Sequence, residues 1–444
     1  MTTSELASLV CSTNLSSIPQ PAIEEAKNSL LNYMGVAIGA SRHAMIDMLL
    51  DVTHEWGRNQ EAQVLGRPER VDIYTASMAN GMSAHIFDYD DTLLDTVLHP
   101  SAPVFPALMA YAEKHEVSGR DMLAAFVLGV EVSQRIGQVV YPSSYDKGWH
   151  MTGHVGQFGA AVSVGCLMGL STEQMQHALG IAATQPVGLR EMFGTYTKPF
   201  HPGRASANGL LAALLAQKGF TSSTQSLEAL RGFLRVTSEA TDFSRLTSEW
   251  GANWEIMKNS YKPFPCGIVI HPAIDAAVNL HKKGVSADNV ERIEIEVNPL
   301  VLELTGKKTP RDGLEAKFSV FHCVAAGLLD GWVGLVQFED SRVTAEDVVE
   351  MRSRVHATID TGIAEDQVRV KAYEKCGKVH ELFIEHAIGS IENPMTKEQL
   401  VQKFVGATQG ILDRAHQENL IEETWNLDKA ASLKNLVSIC AASE

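Results

Sequence analysis

A chain of 444 residues, 45% hydrophobic and 20% charged, is long enough to bury a sizeable core and to divide into two or three domains. Its 53 acidic against 37 basic residues give a net charge of −16. That argues against nucleic acid, whose affinity comes from basic surface, and requires a local basic pocket for any anionic substrate. The six cysteines are scattered and form no C-x-x-C pair. This excludes a disulfide scaffold and leaves structural zinc or a closely spaced iron–sulfur cluster without ligands.

The first basic residue is Lys27, unlike a signal or transit peptide. No apolar run approaches the roughly 18 residues of a membrane span. A cytoplasmic protein with no membrane or nucleic-acid partner is expected. Residues 4–41 read as two helices broken near Pro19 and Pro21, and residues 42–70 are mixed. Helical periodicity returns over 72–87, 104–114, 118–139, 152–170, 171–185 and 205–218, the fifth opening on a Ser/Glu capping box. The strict alternation of VERIEIEV at 290–297 marks a strand. Residues 367–373 and 378–384, joined by Glu-Lys-Cys-Gly, predict a hairpin. Residues 315–329 and 344–354 read as helices, and TKEQLVQKFVGA from Thr396 restores the helical pattern. The expected fold is mainly α with an α+β second domain. A large all-helical domain is formed by both chain ends, residues 1–265 and 396–444, with a smaller α+β domain, 266–395, inserted.

The acidic stretch HIFDYDDTLLDTVLHPS at 85–101 falls on a turn between two apolar helices. Carboxylates beside imidazoles are where pKa values move. Asp88, directly after the apolar run, reads as functional, whereas Asp90, Asp91 and Asp95 read as solvated loop residues or caps. FDYDDT also resembles the aspartate-nucleophile motif of magnesium-dependent phosphatases. That motif follows a hydrophobic strand, and the segment here is helical in pattern, so a phosphatase is the runner-up.

Three further clusters carry basic groups. His150 and His154 lie at the start of a small, apolar helix, where the helix N-terminus favours anions. Lys198, His201 and Arg204 fall within seven residues, on what reads as a Pro-rich loop feeding another helix. Lys262, with Cys266 and His271, stands at the proposed domain boundary. Such groups suit binding a carboxylate and moving a proton on it. His85, His281, His356 and His416 read as structural.

Together FDYDDT…HPS, GWHMTG…GAA, TKPFHPGRA, KPFPC…HPAID and EAKFS resemble the MmgE/PrpD family from end to end. This family comprises 2-methylcitrate dehydratases and cis-aconitate decarboxylases, and includes an iminodisuccinate epimerase. The resemblance implies a homodimer, with the smaller domain acting as a lid. It also implies cofactor-free and metal-free lyase chemistry on a small di- or tricarboxylate in a cleft between domains. Epimerisation of an amino or imino dicarboxylate is the alternative. By position it marks Asp88, Thr92, His99, His150, Lys198 and Lys262 as site residues. Lys198 and Lys262 would bind carboxylates, with Thr92, His201, Arg204 and His271 as further substrate contacts.

Two positions depart from the decarboxylase branch. Gly267 stands where that branch has a histidine, and His322 where it has a tyrosine. Poor turnover of cis-aconitate is therefore expected. With His99 and His150, His322 is read as a proton carrier that places a rate inflection between about pH 5.5 and 7.5.

Overall fold

The computed structural model describes residues 2–57 and 59–441. Met1, Arg58 and residues 442–444, which the expected domain segments include, lie outside the described residues. The chain forms two compact units. The larger holds Asp90–Ser260 with the segments before Phe87 and after Met395, and the smaller holds Tyr261–Met395 together with Phe87–Tyr89.

The larger unit is a pack of helices. Ile73–Ile86, Ser101–Lys114, Gly119–Val140, Met151–Leu167 and Thr197–Gln217 are its centre, and the first, second and fourth are buried on nearly every face. Small residues make this possible. A Cβ on Gly203 would lie 2.4 Å from the Met78 carbonyl oxygen, and one on Gly81 would lie 2.8 Å from Gly203 Cα. Helices Ile73–Ile86 and Thr197–Gln217 thus touch backbone to backbone, which only glycine permits.

The last of these helices differs from the sequence expectation. Lys198, His201 and Arg204 lie within its first turns, not on a loop before it. Pro199 falls in the first turn, where backbone N–H groups lack intrahelical partners anyway. Pro202 lies deeper and leaves a carbonyl without its usual donor.

Gly119–Val140, the helix expected over 118–139, is long and apolar enough to cross a membrane. It lies instead almost wholly inside the protein, and it carries a buried ion pair, Arg135 Nε to Glu131 Oε1 at 2.6 Å. Arg135 also donates to the carbonyls of Arg245 and Ser248, and Glu131 accepts the Glu255 N–H at 2.7 Å. Each charge is met by hydrogen bonds, as burial requires.

The smaller unit is built on a four-stranded sheet in the order Val355–Ile359, Val290–Val297, Val368–Glu374, Val379–Ile384. The first pair is parallel and the others antiparallel, with Ile295 opposite Ala357 on one side and Val370 on the other. The alternation in Val290–Val297 turns Ile293, Ile295 and Val297 inward and leaves glutamates between them. Helices His271–Lys282 and Val320–Asp330 cover that apolar face in one core. Each such side chain contributes about 1.5–3 kcal/mol on burial. The predicted hairpin is Val368–Glu374 with Val379–Ile384. The helix expected over 315–329 is broken at Lys317–Ser319, and Ser319 caps the part that follows.

Candidate active site

Imidazoles crowd one place in the larger unit. Helix Ile73–Ile86 delivers His85 in its last turn; His99 precedes helix Ser101–Lys114, His150 caps Met151–Leu167, and His201 lies early in Thr197–Gln217. All four are buried. Ring centroids are 4.8 Å apart for His85 and His99, 5.4 Å for His85 and His150, and 5.2 Å for His150 and His201.

Hydrogen bonds fix the rings. His85 Nδ1 is 2.7 Å from Asp90 Oδ2, so the ring N–H donates to the carboxylate, and Nε2 has no hydrogen-bond partner among the described residues. His99 Nδ1 lies 2.9 Å from the Asp91 carbonyl and 3.2 Å from Thr92 Oγ1. His150 Nδ1 meets His201 Nδ1 at 3.0 Å, which places one proton between the two rings. Burial, then the nearby His85 and Lys198, hold His150 well below the usual imidazole range. Burial likewise takes His201 down to about 4, again with help from His85 and Lys198. Both rings are therefore neutral near pH 7. Lys198 is buried with its ammonium 5.3 Å from the Phe193 ring centroid, and His150 meets the edge of the same ring.

The acidic turn corrects the sequence reading. Asp90 and Asp91 are fully buried, not solvated; Asp95 alone of the three is exposed. Asp91 Oδ2 accepts from Ser101 Oγ at 2.6 Å and Asn259 Nδ2 at 2.5 Å. Burial nonetheless pushes its pKa up to about 7, and the neighbouring Asp90 adds to that. The strand Thr92–Leu93 pairs with Asn259–Ser260, which brings Asn259 to the turn. His85, read as structural, is the ring that touches both His99 and His150. Its spacing five residues before Asp90 was the one available signal. His154 goes the other way. It packs between Trp149 and Phe233, outside the cluster. Arg204 donates to the Tyr74 hydroxyl at 2.5 Å.

The smaller unit holds a second cluster. Lys262 Nζ lies 3.0 Å from Asp88 Oδ1 and 3.1 Å from the Asp88 carbonyl. Lys317 Nζ donates to the carbonyls of Phe87 and Pro265, both at 2.7 Å, and the Tyr89 hydroxyl donates to the Pro263 carbonyl. Asp88 has φ +53°, a left-handed conformation uncommon outside glycine, which these three anchors hold. Lys317, in the EAKFS motif, was not singled out from sequence. His271 opens helix His271–Lys282 and stands edge-on to Phe264. Burial opposes ionisation of Cys266, yet Cys323, His271 and Lys262 together pull its pKa below the usual thiol range.

His322 does not behave as expected. It is fully buried, its Nε2 is 2.8 Å from the Gln337 carbonyl, and its ring faces Phe338. Burial lowers its pKa to about 4, so it cannot supply an inflection between pH 5.5 and 7.5. At Gly267 an added Cβ would lie 3.2 Å from Thr305 Cγ2. The residues before Asp88 form a helix, not the strand of the phosphatase motif.

Residues 4–246 match the MmgE/PrpD N-terminal domain and residues 264–429 the MmgE/PrpD C-terminal domain. Cis-aconitate decarboxylase of Mus musculus is 26% identical, over 98% of this chain and 93% of its own length. That of Aspergillus terreus is 23% identical, over 98% and 95%. That of Homo sapiens is 26% identical, over 91% and 87%.

Proposed function

Because the chain belongs to the MmgE/PrpD family, we propose that it is a lyase acting on a small tricarboxylate, without metal or cofactor and as a cytoplasmic homodimer. The supporting observation is the buried set His85, His99, His150 and His201 beside Lys198, in which burial keeps His150 and His201 neutral. The reaction removes CO₂ or water next to a carboxylate and passes through a carbanion or enolate.

Neutral imidazoles are the right groups for that step. His150 can take a proton from carbon, and the Nδ1 contact with His201 gives the pair a second place for a proton. Asp90 holds His85 in the tautomer with a free Nε2. A bound polycarboxylate would raise the depressed His150 pKa, because opposite charge favours the protonated ring. The same ring then becomes an acid able to return a proton to carbon. Lys198 would meet a substrate carboxylate and stabilise developing charge. The resemblance also marks Asp88, Thr92, His99 and Lys262, with His201, Arg204 and His271 as substrate contacts.

Decarboxylation is the activity named for the relatives at 23–26% identity. Dehydration is the second reading, favoured by Gly267, which leaves that position without the decarboxylase branch's imidazole. Epimerisation would use the same carbon acid with reprotonation on the opposite face. Proton NMR in D₂O on citrate, 2-methylcitrate, cis-aconitate and aspartate-derived imino acids separates them. Loss of CO₂, a new alkene signal, or deuterium entry with loss of optical rotation mark the three outcomes. Turnover of none of these acids would overturn the proposal, as would activity that is abolished by chelator and restored by Mg²⁺.

A further inference from the structure

We propose that His85, His99 and His150 form a binding site for a zinc-class divalent cation, and that the ion inhibits the enzyme by occupying them. One ring nitrogen from each lies within 4.8 Å of the other two. Around a tetrahedral ion with Zn–N bonds near 2.0–2.1 Å, ligand nitrogens sit about 3.3 Å apart. Small side-chain rotations close that difference.

The surroundings are those of a metal site. His85 Nδ1 is committed to Asp90 at 2.7 Å, while its buried Nε2 has no hydrogen-bond partner among the described residues. A carboxylate that orients an imidazole from behind is the usual support for a metal-bound histidine, and it raises ligand basicity. His99 is oriented the same way, through Nδ1 to the Asp91 carbonyl at 2.9 Å. An all-imidazole set selects Zn²⁺, Co²⁺, Ni²⁺ or Cu²⁺ over Mg²⁺ and Ca²⁺, which want oxygen. The trio Asp366, His386 and Glu392 is half-exposed and mainly carboxylate, and serves as a control. Only the inhibition depends on the proposed function; the binding does not.

The test uses the full-length, chelator-treated protein, titrated with Co²⁺ by visible absorption and with Zn²⁺ by calorimetry. Stoichiometric binding with the intense visible bands of four-coordinate Co²⁺ is expected. Activity should fall in step with occupancy and return with EDTA. Asp90→Asn should weaken binding about 10- to 100-fold. His386→Ala should leave it unchanged. Anomalous scattering from Zn²⁺-soaked crystals locates the ion without any variant, so misfolding of a mutant cannot decide the matter. Absence of stoichiometric binding, an anomalous peak away from the three rings, or loss of binding in His386→Ala would overturn the inference. So would binding that leaves activity unchanged or raises it. Stoichiometric binding at the rings in a protein that turns over none of the acids would support the site and count against the proposed function.

Discussion

The two clusters differ in how they treat charge. In the smaller unit, Lys262 is spent on Asp88, and Lys317 on two backbone carbonyls. These are fixed charges with fixed partners, and they hold Phe87–Tyr89 in an uncommon backbone shape. In the larger unit His150 and His201 are stripped of charge by burial and contact each other. The first arrangement fixes backbone shape; the second sets titratable rings against one another. A buried ion pair is expensive to break, whereas a buried neutral imidazole exchanges a proton whenever a ligand alters its surroundings.

The sharpest break in this contrast is His150→Gln. It should lower kcat by about 100- to 10,000-fold, the worth of a positioned acid–base group, with little change in the denaturation midpoint. Steady-state kinetics and urea unfolding of the same preparation check both halves. Lys262→Met tests the other cluster. Leaving Asp88 buried without its partner should cost about 3–5 kcal/mol of stability, read from urea unfolding. A stable Lys262→Met protein would remove the distinction between the clusters.

Lys198→Ala falls next, with a loss of about 10- to 100-fold in kcat/KM from one charge-assisted contact. The fold should be retained, and circular dichroism beside the kinetics shows whether it is.

The pH dependence of stability sharpens the comparison within the larger unit. His201 falls from 6.5 to about 4 on folding, so the unfolded chain gains a proton first. Stability is lost as pH drops from about 6.5 to 4. Asp91 rises from 3.8 to about 7, which has the opposite sign. Its stabilising effect is full below about 3.8 and is lost as pH rises towards 7. The two windows overlap and oppose each other, so His201→Gln should remove a rise of stability with pH and Asp91→Asn a fall, in urea midpoints taken from about pH 4 to 7. The smallest effect belongs to His322→Asn. It should cost about 1 kcal/mol for one hydrogen bond and leave the pH–rate profile between about 5.5 and 7.5 where it was.

Where structure is local, the amino-acid pattern was readable. The alternation of Val290–Val297 and the hairpin closed at Gly377 depend on neighbours in the chain, and so do the capped helices. The family motifs mark Asp88, His99, His150, Lys198 and Lys262 as candidates because each sits in a short, distinctive run. The strand Val355–Ile359 escaped notice because it is five residues long and gains its ladder from a strand about sixty positions earlier. The Lys198–Arg204 run looked like a loop because its prolines outweigh its periodicity, yet it is helix, packed at Gly203 against Ile73–Ile86.

Charge state was the least legible property. Whether Asp91 is solvated depends on Ser101 and on Asn259, 168 residues away. His85 belongs to the cluster because helices from four parts of the chain converge on it, and His322 has its pKa lowered to about 4 by the core that closes over it. Periodicity and motif spacing record which residues are near in the chain. Desolvation and hydrogen bonding depend on what is near in space, and for buried carboxylates and imidazoles those two terms set the chemistry.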